Sequence, residues 1–133
     1  MHPRFAQAND LSREVIGAAI EVHRLKGPGL LESLYEKFLA RELELRGISC
    51  ESQVAARVEY KGAYFDETLR LDLLVEGCLL VELKCVQEVH PVHKAQVLSY
   101  LRLLNLPLGL LINFHQVRLT DGIHRLVLQN ASA

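Results

Sequence analysis

The sequence lacks most features that mark secreted, disulfide-bonded or membrane-spanning proteins. It contains no tryptophan, one methionine and three cysteines in 133 residues. Cys50, Cys78 and Cys85 are odd in number, and their spacing fits neither a CxxC pair nor a Cys/His zinc site. The N-terminus has no signal-peptide run, and no apolar segment reaches the ~18 residues of a membrane span. We therefore expect a soluble cytoplasmic protein with free thiols and no membrane partner.

The sequence also has no large excess of positive or of negative charge. There are 15 basic and 16 acidic residues, giving a net charge of −1. Proteins that hold duplex DNA through many phosphate contacts usually carry a clear basic excess, so the balance argues against a tight, non-specific nucleic-acid binder. A metal-dependent enzyme stays compatible with it, because acidic ligands lower the total and a bound cation restores positive charge locally.

Two amphipathic helices are predicted in the first third of the chain. Apolar residues recur at helical spacing over 11–26, with Asp10 or Ser12 available as the N-cap. The sequence Gly27-Pro28-Gly29 ends this helix. A second helix follows and ends at Gly47. Its apolar stripe consists of Leu31, Leu34, Tyr35, Phe38, Leu39 and Leu43.

The pattern then changes to strands around one further helix. Strands are predicted at 48–60, 64–75 and 78–86, with turns around Lys61-Gly62 and Glu76-Gly77. Pro91 suits the first turn of a third helix that runs to about residue 104. The apolar run 108–114 is typical of a buried parallel strand, and 117–128 of a closing hairpin. This order predicts one α/β domain with a right-handed strand–helix–strand unit.

Charged residues interrupt two otherwise apolar strands. Glu82 and Lys84 alternate with apolar residues, so both lie on one face, roughly 7 Å apart. On the preceding strand, Asp72 has similar neighbours. A hairpin that turns on residues 76–78 would place Asp72 directly opposite Glu82, whereas a two-residue turn would put them on opposite faces.

Two interpretations of these charges compete. An exposed cross-strand ion pair would contribute a few tenths of a kcal/mol. On a half-covered face, grouped carboxylates raise one another's pKa values and require a cation. The flanking Leu, Val and Cys residues favour the second interpretation. Oxygen ligands without a Cys/His set favour Mg²⁺ or Mn²⁺ over Zn²⁺.

Polar residues fall within the apolar half of the third predicted helix. Gln96, Tyr100 and His93 lie there, and we expect the helix to turn them toward the sheet. Gln96 and Tyr100 as hydrogen-bonded core residues, and His93 as a cap, remain open alternatives. Glu32 also has a local explanation, because a glutamate in the first turn of a helix is favoured by the helix dipole. The HPVH pair, His90 and His93, lacks a third ligand of its kind and is not predicted to bind metal.

Together these residues resemble the signature of the PD-(D/E)xK nucleases. Asp72 is followed by Glu82-Leu83-Lys84 and then by Gln96 and Tyr100, a QxxxY element similar to that of the RecB-type branch. Residues 29–35, GLLESLY, resemble the motif of the small GxxExxY family, as do LGLLINF and DGIHR further on. The resemblance covers about residues 10–128. Leu71 stands where the superfamily name has proline.

The resemblance implies a fold, a site and a function. The fold is a restriction-endonuclease-like αβββαβ core with a mixed sheet flanked by helices, in a single domain at 1–133 with its core at about 10–128. The implied metal ligands are Asp72, Glu82, the Leu83 carbonyl and Glu32. Lys84 would position or activate the attacking water, and Gln96 and Tyr100 would orient the site or the phosphate.

The implied activity is Mg²⁺- or Mn²⁺-dependent hydrolysis of phosphodiester bonds in nucleic acid. DNA is expected as the substrate rather than RNA. A homodimer is expected if the substrate is a duplex. One alternative is a catalytically silent protein of the same fold that acts as an oligomeric or partner-binding module. A small-molecule phosphodiesterase is a further alternative, against which the absence of a Gly-rich phosphate loop argues.

Overall fold

A five-stranded mixed sheet organises residues 2–128, which are the residues that the computed structural model describes. In chain order the elements are α1 (Phe5–Lys26), α2 (Glu32–Leu45), β1 (Cys50–Tyr60), β2 (Ala63–Val75), β3 (Leu79–Lys84), α3 (Pro91–Leu104), β4 (Leu108–Asn113), a 3₁₀ turn (Leu119–Gly122) and β5 (Ile123–Val127). The strands lie in the order β1-β2-β3-β4-β5. Among these five strands of the described chain, β3 and β4 are parallel and the other neighbours are antiparallel. The predicted single α/β domain with a mixed sheet is confirmed.

The helices cover the two faces of the sheet and form two cores. On one face, α1 and α2 bury Val15, Ala18, Tyr35 and other residues against β3 and β4. On the opposite face, α3 contributes Val97 and Leu101. A Cβ atom at Gly109 of β4 would lie 2.9 Å from the Val97 side chain, so α3 packs closely on the sheet.

The β2–β3 hairpin has the register that the site requires. Leu73 pairs with Val81 and Val75 with Leu79. The chain reverses at Glu76 and Gly77, which both have positive φ, and the Cys78 N–H donates to the Val75 carbonyl. Continuing the same register places Asp72 opposite Glu82. The prediction of a turn at residues 76–78 is confirmed.

The start of α1 was predicted wrongly. The helix begins at Phe5 rather than residue 11, because Ala8 extends the buried stripe by a turn. Neither Asp10 nor Ser12 is the N-cap, since both lie inside the helix, and the Ser12 hydroxyl donates to the Asn9 carbonyl. Although α1 has 22 residues, no helix within residues 2–128 combines the length and apolar character that a bilayer crossing requires.

The closing segment also differs from the prediction. Residues 117–128 do not form a hairpin of their own, because the first half is a 3₁₀ turn and Val117 is 90% exposed. Instead β5 pairs antiparallel with β4. The free edge of a long apolar strand offers β5 more backbone hydrogen bonds and more burial than a local hairpin would.

The three cysteines are free thiols, as predicted. Cys78 is buried, and Cys50 and Cys85 are half-buried. Burial raises the pKa of each thiol. The cysteines therefore remain protonated and act as small packing residues rather than as nucleophiles.

Candidate metal centre

The candidate site lies where β2 and β3 part. Beyond the Leu73–Val81 pair, hydrogen bonds from backbone to side chain replace the backbone hydrogen bonds between the two strands. The Asp72 N–H donates to Glu82 Oε2 over 2.7 Å, and the Leu83 N–H donates to Asp72 Oδ2 over 2.9 Å. Each carboxylate therefore binds the backbone of the opposite strand, and the two acidic side chains share one gap.

The Leu83 carbonyl faces this gap as well. The N–H and C=O groups of one strand residue point to the same side, and successive residues alternate. The Leu83 N–H points toward β2, while the Lys84 carbonyl accepts from Phe114 N–H beside β4. The Leu83 carbonyl oxygen is therefore directed toward the gap that contains Asp72 and Glu82.

Glu82 is the most strongly perturbed group of the site. Its residue is 7% exposed. Burial, and then the negative charge of Asp72, raise the pKa of Glu82 to about 8, while Lys84 opposes the shift. The folded protein thus holds a carboxyl group that ionises only at a cost unless positive charge comes closer.

Glu32 lies near these groups at the N-terminus of α2. Partial loss of hydration raises the pKa of Glu32, followed by the charge of Asp72. Lys84 and the nearby Cys85 backbone N–H have the opposite effect. Glu32 is therefore within electrostatic range of Asp72 and Lys84, which are far from it in sequence.

Tyr35 holds the loop that leads to Glu32. Its hydroxyl donates to the Gly27 carbonyl and accepts the Leu30 N–H at 3.2 Å. Its fully buried ring stacks on Phe114, with centroids 4.5 Å apart. One phenol thus ties the loop before Glu32 to Phe114, which directly follows β4 and donates its N–H to the Lys84 carbonyl. These contacts give a physical reason for a tyrosine three residues after the glutamate.

Replacing Tyr35 with phenylalanine should lower the free energy of unfolding by ~1–2 kcal/mol, because two hydrogen bonds are lost while the ring remains. Urea denaturation measures this loss. Amide exchange at Leu30 should also accelerate. Tyr60→Phe, at an exposed tyrosine, is the matched control and should change neither quantity. Equal effects of the two substitutions would contradict the assigned role of the Tyr35 hydroxyl.

Glu36 is a site residue that the sequence analysis missed. It lies one turn beyond Glu32, and burial raises its pKa, as do the charges of Asp72 and Glu32. Gln53 Nε2 donates to Glu36 Oε1 over 2.7 Å. Gln53 falls opposite Asp72 in the β1–β2 register and has a left-handed φ of 53°. The i, i+4 spacing from Glu32 was the available signal, because it places both carboxylates on one helix face.

Lys84 supplies the positive charge of the site. It lies two residues after Glu82 on the same face of β3 and is half-buried. Among residues 2–128 its ammonium forms no ion pair within 4.0 Å. It nonetheless lowers the pKa values of Glu82 and Glu32. The charge is therefore near the carboxylates without being neutralised by direct contact.

The helix α3 brings Tyr100 close to the site, but Gln96 less closely than predicted. Burial and the charge of Glu82 raise the pKa of the half-buried Tyr100, whose hydroxyl accepts from Gln96 Nε2 at 3.1 Å. Gln96 itself is exposed, whereas Val97 and Leu101 are the residues of α3 that are buried against the sheet. The expected inward orientation of Gln96 was wrong. His93 accepts the His90 N–H at Nδ1, in agreement with the cap interpretation.

The donor atoms fit a hard divalent cation in their chemistry. Two carboxylates and a main-chain carbonyl face one gap, and oxygen donors of this kind suit Mg²⁺ or Mn²⁺. Within the part of the chain described, no three His, Cys, Asp or Glu side chains converge closely enough to hold a metal. Both strand carboxylates bind backbone N–H groups here, and the expectation that Glu32 joins them as a ligand stays a prediction.

Comparison with known proteins identifies a matching family and a solved structure of similar fold. A family model described as the PD-(D/E)XK nuclease superfamily matches residues 9–126. No curated protein matches the chain. The crystal structure of SSO0001 superposes with a TM-score of 0.52 at 17% identity, covering 99% of this chain and 64% of that one. The likeness to SSO0001 is one of fold, and this chain spans about 64% of the length of that protein.

Proposed function

Because this chain belongs to the PD-(D/E)XK nuclease superfamily, we propose that it is a divalent-metal-dependent nuclease that hydrolyses phosphodiester bonds of DNA. We assign it to the GxxExxY branch, because Gly29, Glu32 and Tyr35 have the spacing of that motif. The proposal includes a single domain at 1–133, a cytoplasmic location, and a homodimer if the substrate is a duplex.

One observation carries the proposal. Asp72 and Glu82 are held side by side at the point where two strands part, and Glu82 has a pKa of about 8. A purely structural role would be better served by apolar residues, since neighbouring buried carboxylates are costly. A bound cation removes that cost. This arrangement therefore supports metal binding over a structural ion pair.

The ligands that we assign to Mg²⁺ or Mn²⁺ are Asp72, Glu82, the Leu83 carbonyl and Glu32. When bound, the cation would polarise the phosphate and lower the pKa of a water molecule. Glu36 lies near these ligands and adds negative charge. Gln53 restrains its carboxylate through the hydrogen bond between them.

The remaining residues have electrostatic and orienting roles. Lys84 provides a fixed positive charge beside the attacking water and stabilises negative charge that develops on the phosphate. Tyr100 lies within electrostatic range of Glu82, and Gln96 orients its hydroxyl through their hydrogen bond. No covalent intermediate is proposed, because the thiols are buried or half-buried and protonated.

The proposal is tested with labelled single-stranded and duplex DNA, and with RNA, incubated with purified protein and Mg²⁺ or Mn²⁺. We expect cleavage of DNA that EDTA abolishes and that Lys84→Ala reduces by at least ~100-fold. Light scattering gives the oligomeric state of the same sample. Cleavage by wild type no faster than by Lys84→Ala on every substrate would refute the nuclease assignment.

A further inference from the structure

Residues 55–70 of β1 and β2 form a two-stranded arm that extends beyond the other strands of the sheet. β3 has six residues and pairs with β2 only at Leu73–Val75. Within residues 2–128, the remaining part of β2 pairs with β1 alone. All residues of this arm are exposed or half-buried. A ribbon of two strands is marginally stable alone, so a bound partner would stabilise this arm.

The arm carries three large exposed aromatic residues. Tyr60 is 63% exposed, Tyr64 62% and Phe65 45%. Lys61 Nζ lies 5.4 Å from the centroid of the Tyr60 ring, and the Arg57 guanidinium 4.6 Å from that of Tyr64. Each tyrosine therefore presents a π-face beside a cation, which is the combination that holds bases and phosphates of single-stranded nucleic acid.

The arm is continuous with the candidate metal centre. Its strand β2 leads directly into Asp72, and Arg70 lies two residues before that carboxylate. The gap between β2 and β3 opens at the same position, where side chains replace the backbone ladder. A polymer that enters the gap along β2 must pass the arm.

The charge of the arm favours a single strand over a duplex. Its six charged residues balance, three basic and three acidic: Arg57, Lys61, Arg70, Glu59, Asp66 and Glu67. Duplex binding depends mainly on neutralising many phosphates, and a neutral arm cannot supply that. Stacking on aromatic rings requires unpaired bases, and a single strand can be held by stacking together with the few phosphate contacts that three cations allow.

The distribution of the aromatic residues favours nucleic acid over a second copy of the chain. Phe65 pairs with Val58, Tyr64 with Glu59 and Tyr60 with Ala63, so Tyr64 lies on one face of the ribbon and Tyr60 lies with Phe65 on the other. A self-association surface on one flat face would leave one of the two tyrosines, with its cation, unused. Rings on both faces suit a flexible strand that wraps the arm.

We propose that the arm binds single-stranded nucleic acid through Tyr60, Tyr64 and their neighbouring cations, and guides it to the metal centre. The inference rests on the proposed nuclease function and narrows its substrate to single strands or single-stranded ends.

Binding is measured by fluorescence anisotropy in EDTA, with a labelled oligo(dT) and a labelled duplex of equal length. The protein is the Lys84→Ala variant, with and without changes at the arm. Tyr60→Ser with Tyr64→Ser should weaken oligo(dT) binding by at least ~10-fold. Tyr60→Phe with Tyr64→Phe keeps the rings and should stay within roughly twofold of the parent. The salt slope should be shallow, near ~−2, because only three cations contribute.

Three results would overturn the proposal. The first is equal oligo(dT) affinity of the double serine variant and the double phenylalanine variant, and the second is tighter binding of the duplex than of oligo(dT). The third is a change from dimer to monomer in the double serine variant with unchanged oligo(dT) binding. The last result would assign the arm to a second copy of the chain.

Cleavage assays with Lys84 intact separate the two proposals. If the serine pair cleaves single-stranded DNA with an unchanged KM, the arm proposal fails and the nuclease stands. If wild type cleaves nothing but ring-dependent oligo(dT) binding persists, the nuclease fails and the arm stands.

Discussion

Replacement of Asp72 by asparagine is expected to lower the rate of Mg²⁺-dependent DNA cleavage by at least ~100-fold, the size of effect seen when one fixed electrostatic group is removed from an active site. Asparagine keeps an oxygen that can accept the Leu83 N–H, so the contact between β2 and β3 can persist. The substitution removes one negative charge from the gap. Loss of rate without loss of fold therefore isolates the charge.

The comparison uses Asp10→Asn, an exposed aspartate on α1, as the control of equal chemistry. Rates are measured at saturating DNA over a range of Mg²⁺ concentrations, alongside a thermal melt of each variant. We expect Asp10→Asn to cleave like wild type, and Asp72→Asn to lose any stabilisation by Mg²⁺. Near-normal cleavage by a folded Asp72→Asn protein would remove Asp72 from the site.

Replacement of Glu82 by glutamine should stabilise the metal-free protein above about pH 4.5, and the stabilisation should grow up to about pH 8. The pKa of Glu82 in the folded protein is about 8, against 4.5 for an ordinary glutamate. Each tenfold change in proton affinity corresponds to about 1.4 kcal/mol, so ionised Glu82 costs the folded state on the order of 5 kcal/mol. Glutamine preserves the shape and can accept the Asp72 N–H.

The sign of this pH dependence follows from the raised pKa. Below about pH 4.5 both folded and unfolded chains carry protonated Glu82, and the group contributes no penalty. Between pH 4.5 and about 8 the unfolded chain releases its proton first, so the stability of wild type falls as pH rises. Above that range the penalty is constant. Glu32 and Glu36, with raised pKa values, act in the same direction.

Thermal melts in EDTA at pH 4.5 and pH 8.5 measure the difference. Glu82→Gln should melt ~10 °C or more above wild type at pH 8.5 and close to it at pH 4.5. Glu51→Gln, on an exposed position of β1, is the control and should not change the melting temperature at either pH. Mg²⁺ should stabilise wild type at pH 8.5 and stabilise Glu82→Gln much less. A Glu82→Gln protein that melts below wild type at pH 8.5 would contradict the buried-carboxylate picture.

Elements that depend on local pattern could be predicted closely. The third helix was expected from residue 91 to about 104 and spans Pro91–Leu104. The apolar run after Pro107 forms the parallel strand β4 beside β3. Helical spacing, strand alternation and proline or glycine punctuation are properties of neighbouring residues. The predictions failed where a pairing partner from another part of the sequence determines the structure, as when β5 pairs with β4 rather than with its own neighbouring segment.

The site could be predicted in part for the same reason. The facing positions of Asp72 and Glu82 follow from the length of one turn, which is local. Glu36 was not predicted, because its helical spacing from Glu32 alone does not mark a site residue and its partner Gln53 lies 17 residues away on another element. The exposure of Gln96 could not be read from its helix alone. It depends on which face of α3 the sheet covers.

The sequence by itself determined the order of the elements, the alternation that sets Glu82 and Lys84 on one face, and the family motifs, since each is written in residues close together along the chain. Only the tertiary structure decided that β2 and β3 part at Asp72, that the Leu83 carbonyl faces the resulting gap, that the Tyr35 hydroxyl ties down the loop before Glu32, and that residues 55–70 stand free as an arm. These features depend on contacts between segments far apart in sequence, and the balance of burial and hydrogen bonding across the whole fold selects among them.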